Sequence, residues 1–318
     1  MRVQKICLLL AGALIGSTQA QAQTESSPML PTPRNAAKIN RMVEEEKAKA
    51  QGDLDKEITD IKMRAHSGSK SKYSSSFSLT YMGAALSQPG GDSRPSLGGN
   101  RIVEPTSLSG SVGLRYRMDK NDSVSFSTGI NRPQPLQKSE IDQPLQVSTP
   151  RLSFNKTFAM GEKQISSEAT LYVTTLRSHR AVGEIGSLAY SLTALNPIAS
   201  SRFEGGVSMN VWETAFDSSS EYDAVKYRQN DTSINIMPTL QYKINDHFNA
   251  FTSLAIFGFS HYRDKSDFLA FQHVDPTQII GVGYAIARDF YFAPSITLEP
   301  EHLALENASY MLSTRFNL

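Results

Sequence analysis

The last residues of the chain alternate with a period of two. Tyr310, Leu312, Thr314, Phe316 and Leu318 fall on one side, and Ser309, Met311, Ser313, Arg315 and Asn317 on the other. Successive side chains of a β-strand point to opposite faces. This ending is therefore a strand with one apolar and one polar face, and it runs to the final residue. The pattern recurs back to Tyr73 in about twelve segments: 73–85, 106–118, 122–131, 147–159, 164–176, 187–195, 202–214, 231–244, 247–260, 276–287, 289–299 and 307–318. Each is near the ten or so residues that a tilted strand needs to cross a hydrocarbon layer.

The alternation is cleanest in three of these segments. Leu108, Val112, Leu114, Tyr116 and Met118 oppose Ser107, Ser109, Ser111, Arg115 and Arg117. Ile234, Ile236, Leu240, Tyr242 and Ile244 oppose Ser233, Asn235, Thr239, Gln241 and Lys243. Phe290, Phe292, Ile296 and Leu298 oppose Tyr291, Ser295, Thr297 and Glu299. Connections alternate in length. Asp119–Asp122, Met160–Lys163, Asn245-Asp246 and Arg288-Asp289 are tight turns, and Asn196–Ser201 is slightly longer. Between them come long polar stretches such as Ser87–Pro105, Arg132–Gln146, Asp217–Asn230 and Tyr262–Asp275. Pro238 and Pro294 sit awkwardly inside strands, where proline removes a ladder bond. The ninth segment puts Phe251, Phe257 and Phe259 on the nominally polar face, which predicts either a register shift or an aromatic feature in the interior.

These features resemble bacterial outer-membrane β-barrel proteins, channel- or porin-like, with about twelve strands. No subfamily motif is matched. The resemblance implies a closed antiparallel transmembrane barrel over 73–318, with short turns at the periplasmic end and long loops outside. Closure pairs every backbone group and leaves no strand edge in lipid. It also implies that the last strand, through Tyr310, Leu312, Phe316 and Leu318, is read by the barrel assembly machinery; Leu318 stands where the family usually ends in Phe. Aromatics collect near the short turns with the parity of the apolar face: Tyr73, Tyr116, Phe158, Phe203, Tyr242, Phe248, Tyr284, Phe290 and Phe316. Amphipathic rings favour the membrane interface, so this set predicts a periplasmic girdle. Tyr81, Tyr190 and Tyr310 form a weaker set at the other end.

Ahead of the barrel, residues 1–22 read as a secretory signal. Arg2 and Lys5 precede the apolar run Ile6–Ile15, which is too short to span, and Ala20-Gln21-Ala22 is a small-x-small cleavage site. Cys7 is the single cysteine and leaves with the signal, so no disulfide or thiol site is expected. Residues 23–34 are a proline-bearing leader. Residues 35–72 are expected to form a helix from Asn35 to about Arg64 and a polar linker, hanging in the periplasm. Ile39, Val43, Ala50, Leu54, Ile58 and Ile61 form only a thin stripe. That stripe suits a solvated helix, with oligomerisation through residues 35–66 or contact with the cell wall as the sharper alternatives.

The net charge of +1 argues against nucleic-acid binding. No metal spacing and no phosphate loop stand out, and no cofactor is expected: Gly281-x-Gly283 lies inside a strand. Of the six histidines, His66 lies in the linker and His247 at a short turn, while His179, His261, His273 and His302 lie in or near the long loops. His179 or His261 could serve as the base of an outer-membrane hydrolase, but serine is too common here for a Ser-His pair to carry information, and the expectation is no enzyme. The interior set instead carries Arg115, Arg117, Arg151, Arg202, Lys243 and Arg315 against Glu168, Glu204 and Glu299. Arg115, Arg117 and Arg315 should form one basic stripe, with Lys243 and Glu168 completing the lumen charges. Fixed cations favour anions in a pore, which resembles anion-favouring diffusion channels, including acidic-oligosaccharide channels of about twelve strands. The leading expectation is passive diffusion of small hydrophilic, preferentially anionic solutes. The alternatives are a structural or adhesin-type barrel and, third, a barrel hydrolase.

Overall fold

The computed structural model describes residues 58–68, 70–95, 105–136, 145–217, 229–263, 265, 267, 269–287 and 290–317. The signal segment, the leader, residues 35–57 of the expected helix, the Arg288-Asp289 turn and Leu318 lie outside the described residues.

A short helix, α1 (Ile61–Ser67), precedes the strands β1 (Tyr73–Ala85), β2 (Ser107–Arg117), β3 (Asp122–Pro133), β4 (Gln146–Met160) and β5 (Lys163–Val173). The one-turn helix α2 (Arg177–Ala181) leads into β6 (Glu184–Pro197), β7 (Phe203–Phe216), β8 (Asn230–Lys243), β9 (Phe248–Ala255) and β10 (Phe257–Tyr262). The strands β11 (Gln272–Val274), β12 (Thr277–Ala287), β13 (Phe290–Leu298) and β14 (Ala308–Asn317) complete the sheet. Every pairing is antiparallel between neighbours, and β1 pairs with β14 from Ser76↔Asn317 to Ala85↔Ser309, so the sheet closes on itself. Because β9 and β10 both pair with β8, and β11 and β12 continue one another opposite them, the closed barrel has twelve staves.

Burial is inverted relative to a water-soluble sandwich. On β2, Val112 is 48% exposed and Leu114 69%, while Ser111 beside Val112 is 6% exposed. The same inversion holds for Phe126 beside Ser127, Leu152 beside Ser153, Leu171 beside Thr170 and Leu240 beside Gln241. A continuous apolar exterior of this size is stable only against lipid. The period-two pattern thus fixes a transmembrane barrel, polar inside and apolar outside.

The break at Ile256 resolves the ninth segment. Pairing with β8 runs Thr239↔Ser253 in β9 but Ile236↔Phe257 in β10, so one extra residue is inserted and the parity flips. Phe257 and Phe259 consequently face lipid beside Ile236 and Ile234. His273 Nε2 donates to the Ile256 carbonyl at 3.0 Å, satisfying a group that the bulge leaves out of the ladder. Phe251, before the break, points inward. Its cross-strand partner is Gly281, where a Cβ would lie 2.6 Å from Phe251 Cζ, so the glycine makes room for the ring. Pro238 falls in the gap: β8 pairs with β9 only from Thr239 and with β10 only up to Ile236, so its missing N–H interrupts nothing on that side. Pro294 lies where the ladder between β12 and β13 skips from Gly281↔Ser295 to Tyr284↔Phe292.

The short turns, the start of β1 and the end of β14 share one end of the molecule, and the long connections share the other. From the short-turn end, residues 58–68 enter the lumen. The expected helix differs in two ways. Its final section starts afresh at Asp60, whose Oδ1 accepts from Met63 N at 2.6 Å, and continues past Arg64 to Ser67. Nor do these residues hang below the barrel. Ile61 and Ala65 pack on Ala285, Tyr291, Ala293 and Phe251, while Ile58 and Met63 pack on Leu195 and Ala159 across the lumen. Seven residues do not hold a helix alone in water. Ile58, Ile61 and Met63 are each at most 3% exposed. Burying a side chain of this kind contributes about 1.5–3 kcal/mol.

Candidate functional site: the barrel lumen

Cross-strand hydroxyl and amide pairs line the interior. Ser78 Oγ lies 2.7 Å from Ser111 Oγ, Ser153 Oγ 2.8 Å from Thr170 Oγ1, Thr193 Oγ1 3.0 Å from Ser208 Oγ and Thr239 Oγ1 2.9 Å from Ser253 Oγ. Ser191 Oγ donates to Asn210 Oδ1 at 2.7 Å. These pairs satisfy polar groups within the wall, as an interior facing water requires. They surround a cavity of about 530 Å³.

Residues 58–68 form the floor of that cavity and are held on all sides. At the entry, the Gln164 carboxamide, 2% exposed, accepts from Thr59 N at 2.7 Å and Asp60 N at 2.8 Å. Its Nε2 donates to Thr59 Oγ1 at 3.0 Å and Glu204 Oε1 at 3.1 Å, and Thr59 Oγ1 donates to Glu204 at 3.1 Å. At the exit, the Arg115 guanidinium donates to Ser67 O, and Arg117 Nη2 donates to Ser67 O at 2.7 Å and Gly68 O at 3.0 Å. Asn317 Nδ2 donates to Ala65 O at 2.6 Å, and Arg64 Nη2 reaches Asp246 O at 3.2 Å. The last carbonyls of a helix have no partner within it, and here buried cations supply it, with the sign that the helix dipole favours. Gly68 turns the chain away at φ +70°, and a Cβ there would collide with the Arg115 guanidinium.

This arrangement divides the expected basic stripe. Arg115 and Arg117 are 7% and 8% exposed and are engaged with the end of α1. Lys243 Nζ lies 3.2 Å from Asp246 in the short turn, away from the cavity. Arg315 faces the cavity, as do Arg151, Glu168 and two residues of α1, Lys62 and His66. Arg151 Nε donates to Ser127 Oγ at 2.9 Å and its guanidinium lies 5.9 Å from the Tyr172 ring centroid. Glu168 accepts from Thr170 at 3.1 Å and lies 3.9 Å from His66 Nδ1. Lys62, Gln164 and Asn317 were not singled out in the sequence: Lys62 reads as part of a solvated charge run, and nothing local marks Gln164 or Asn317 as contacts of a segment about 100 to 250 residues away.

On the outside, the aromatics near the short turns pair across strands. Ring centroids are 5.3 Å apart for Tyr73–Tyr116, 4.8 Å for Phe203–Tyr242, 4.3 Å for Phe248–Tyr284 and 4.5 Å for Phe290–Phe316. Phe158 carries Lys156 Nζ at 5.9 Å, and Tyr81 and Tyr310 pair at 5.7 Å towards the long-loop end. Tyr310, Leu312 and Phe316 of β14 all face out.

The candidate bases are otherwise occupied. His261 is 4% exposed; its Nδ1 lies 2.6 Å from Asp231 Oδ1 and its Nε2 donates to Asp267 O at 2.9 Å, so both ring nitrogens are engaged. His179 Nδ1 lies 2.7 Å from Glu184 Oε2, and Thr174 Oγ1 donates to the same carboxylate at 2.8 Å. The hydrogen bond that His179 gives to the Glu184 carboxylate raises the His179 pKa above its ordinary value. Among the described residues neither histidine is hydrogen-bonded to a serine. Among the described residues no group of three or more His, Cys, Asp or Glu converges on a metal position.

No protein-family model and no curated protein matches the chain. Among solved structures, an outer-membrane channel from Pseudomonas putida F1 is similar at 12% identity, with 77% of this chain and 94% of that one covered and a TM-score of 0.46. The KdgM porin in complex with disordered oligogalacturonate is similar at 5% identity, over 76% and 99%, with a TM-score of 0.42. The NanC porin is similar at 7% identity, over 77% and 100%, with a TM-score of 0.43.

Proposed function

We propose that this barrel is a channel in a bacterial outer membrane for small hydrophilic solutes, with a preference for anions. The observation that carries this reading is the lumen: a cavity of about 530 Å³ walled by hydroxyls and amides, with three cations against two carboxylates, Asp60 and Glu168, on its surface. A protein that needed only a membrane anchor gains nothing from so large a polar interior. Twelve strands leave more interior than eight, which side chains can fill. The paired aromatics at the short turns are read as the periplasmic girdle, and Tyr310, Leu312, Phe316 and Leu318 as the signal to the assembly machinery. Selectivity rests on Arg315 and Arg151, opposed by Glu168, with no covalent step.

One observation favours a second reading. The short-turn mouth is occupied by residues 58–68, and a barrel closed in this way also suits a structural or adhesin-type role. Because residues 58–66 are bound inside the lumen, any self-association or wall contact of the leading segment falls to residues before them. A liposome-swelling assay separates the two. The channel reading expects swelling that falls with solute size and is faster for organic anions than for cations of equal size. No swelling from a heat-modifiable barrel, with or without residues 58–68, would leave the structural reading.

A further inference from the structure

The floor of the lumen carries charge that does not come from the wall. Lys62 and His66 are one helical turn apart on α1, so they share a face, and both line the cavity. Arg315 lies within electrostatic reach of Lys62, Glu168 and Arg151. A second, smaller cavity of about 50 Å³ lies beside α1, and the two cavities share His66, Ser78, Arg151, Glu168 and Arg315. Charge and free volume therefore meet at one place. Neither Lys62 nor Arg315 has a hydrogen bond or an ion pair within 4 Å to another described residue. Asp60, the nearest carboxylate to Lys62 in sequence, is already tied to Met63 N as the cap of α1. Asp60 and Glu168 attract these cations only through space, and cations gathered without a direct ion pair are costly unless something negative joins them.

We propose that this cluster is an anion-binding site shared between α1 and the barrel, and that its ligand is a small solute bearing carboxylate or phosphate groups. Lys62 supplies a point charge from the floor, Arg315 and Arg151 supply planar forks from the wall, and Ser78 supplies a hydroxyl. Its volume admits a ligand of metabolite size. Because the site is half on α1 and half on the wall, binding and docking are linked. An anion that touches both halves stabilises the docked helix, and a docked helix raises anion affinity by the same factor. The anion is then both cargo and a brake: an occupied site holds the floor in place, and release of the floor dismantles the site. This proposal rests on the polar-lumen reading above and adds the ligand class and its coupling to α1.

The test is isothermal titration of the detergent-solubilised full chain with citrate and, separately, with pyrophosphate, in low-salt buffer, with sucrose as the uncharged control. The parent protein should bind one or both anions at one site and not sucrose; which anion binds tells carboxylate from phosphate recognition. Lys62→Met and Arg315→Met should each weaken binding by about tenfold, the effect of losing one charge-assisted hydrogen bond. In the same samples, saturating anion should slow amide exchange at Thr59 and Asp60 in the parent but not in Lys62→Met. Lys62 makes no hydrogen bond or ion pair with the barrel among the described residues, so its variant should keep the fold. Binding that is absent, or equal in parent and Lys62→Met, overturns the proposal. The channel reading fails separately, by the swelling assay, and binding without swelling would uphold the site while removing the transport role.

Discussion

Gln164 is the residue on which the docking of α1 most depends. Its carboxamide joins the entry of the inserted segment to β5 through bonds to Thr59 N, Asp60 N and Thr59 Oγ1, and holds Glu204 with its remaining hydrogen. Gln164→Leu keeps the bulk but leaves two backbone donors facing a hydrocarbon side chain. Each lost bond costs roughly 1 kcal/mol net, and more where a donor is stranded. Undocking returns those donors to water, so the penalty falls almost wholly on the docked state. The expected weakening is about 2–4 kcal/mol, a roughly 30- to 1000-fold shift towards the undocked helix. Hydrogen exchange read by mass spectrometry on the peptide spanning residues 58–68 measures it directly. Exchange there should accelerate by that factor, while peptides from β5 and β6 stay protected. Unchanged protection of residues 58–68 in a folded Gln164→Leu barrel would mean that Gln164 does not hold the segment in the lumen.

Three further outcomes are expected. Ile280→Arg, on the lipid face of β12 at 45% exposure, should destabilise the refolded barrel by about 2–4 kcal/mol in a denaturant titration in vesicles, whereas Ile279→Arg, facing the cavity, should cost far less; equal effects would contradict the assigned parity. Deleting Ile256 removes the extra residue and joins the two ladders with β8 in one register, leaving Phe257 and Phe259 facing lipid, so the heat-modifiable form on gel electrophoresis should survive; its loss would place the extra residue elsewhere. The bond between His179 and Glu184 has a definite pH window. A raised histidine pKa contributes stability that is fully present below the unfolded value of 6.5 and is lost as pH rises through the folded one. Protection of α2, corrected for intrinsic exchange, should therefore fall as pH rises through the raised His179 value and lose that pH dependence in His179→Gln.

The barrel was legible because lipid and water impose the same rule on every strand. Alternation assigned the faces of β2, β8, β13 and β14 correctly, and turn lengths separated the short-turn end from the long-loop end. Three features were less legible for physical reasons. The bulge at Ile256 showed only as misplaced phenylalanines, since one inserted residue leaves composition untouched and reveals itself only through the pairing partner. Insertion of α1 was hidden because its apolar positions, Ile58, Ile61, Met63 and Ala65, face two different walls of the lumen and so form no single stripe. The fate of Arg115 and Arg117 was hidden for the same reason: their parity put them inside, but their partners are carbonyls of residues almost fifty positions earlier in the chain. Side-chain direction is local, whereas what a side chain meets is set by the closed fold.

We propose a polar, anion-favouring passage through this barrel, with residues 58–68 in its short-turn mouth. Single-channel recording in planar bilayers under a salt gradient tests it most directly, comparing the full chain with a variant in which residues 58–68 are replaced by a Gly/Ser linker. The account predicts small or intermittent conductance from the full chain, and large, steady conductance with an anion-side reversal potential from the variant. A folded, heat-modifiable variant that conducts no better than its parent would contradict it.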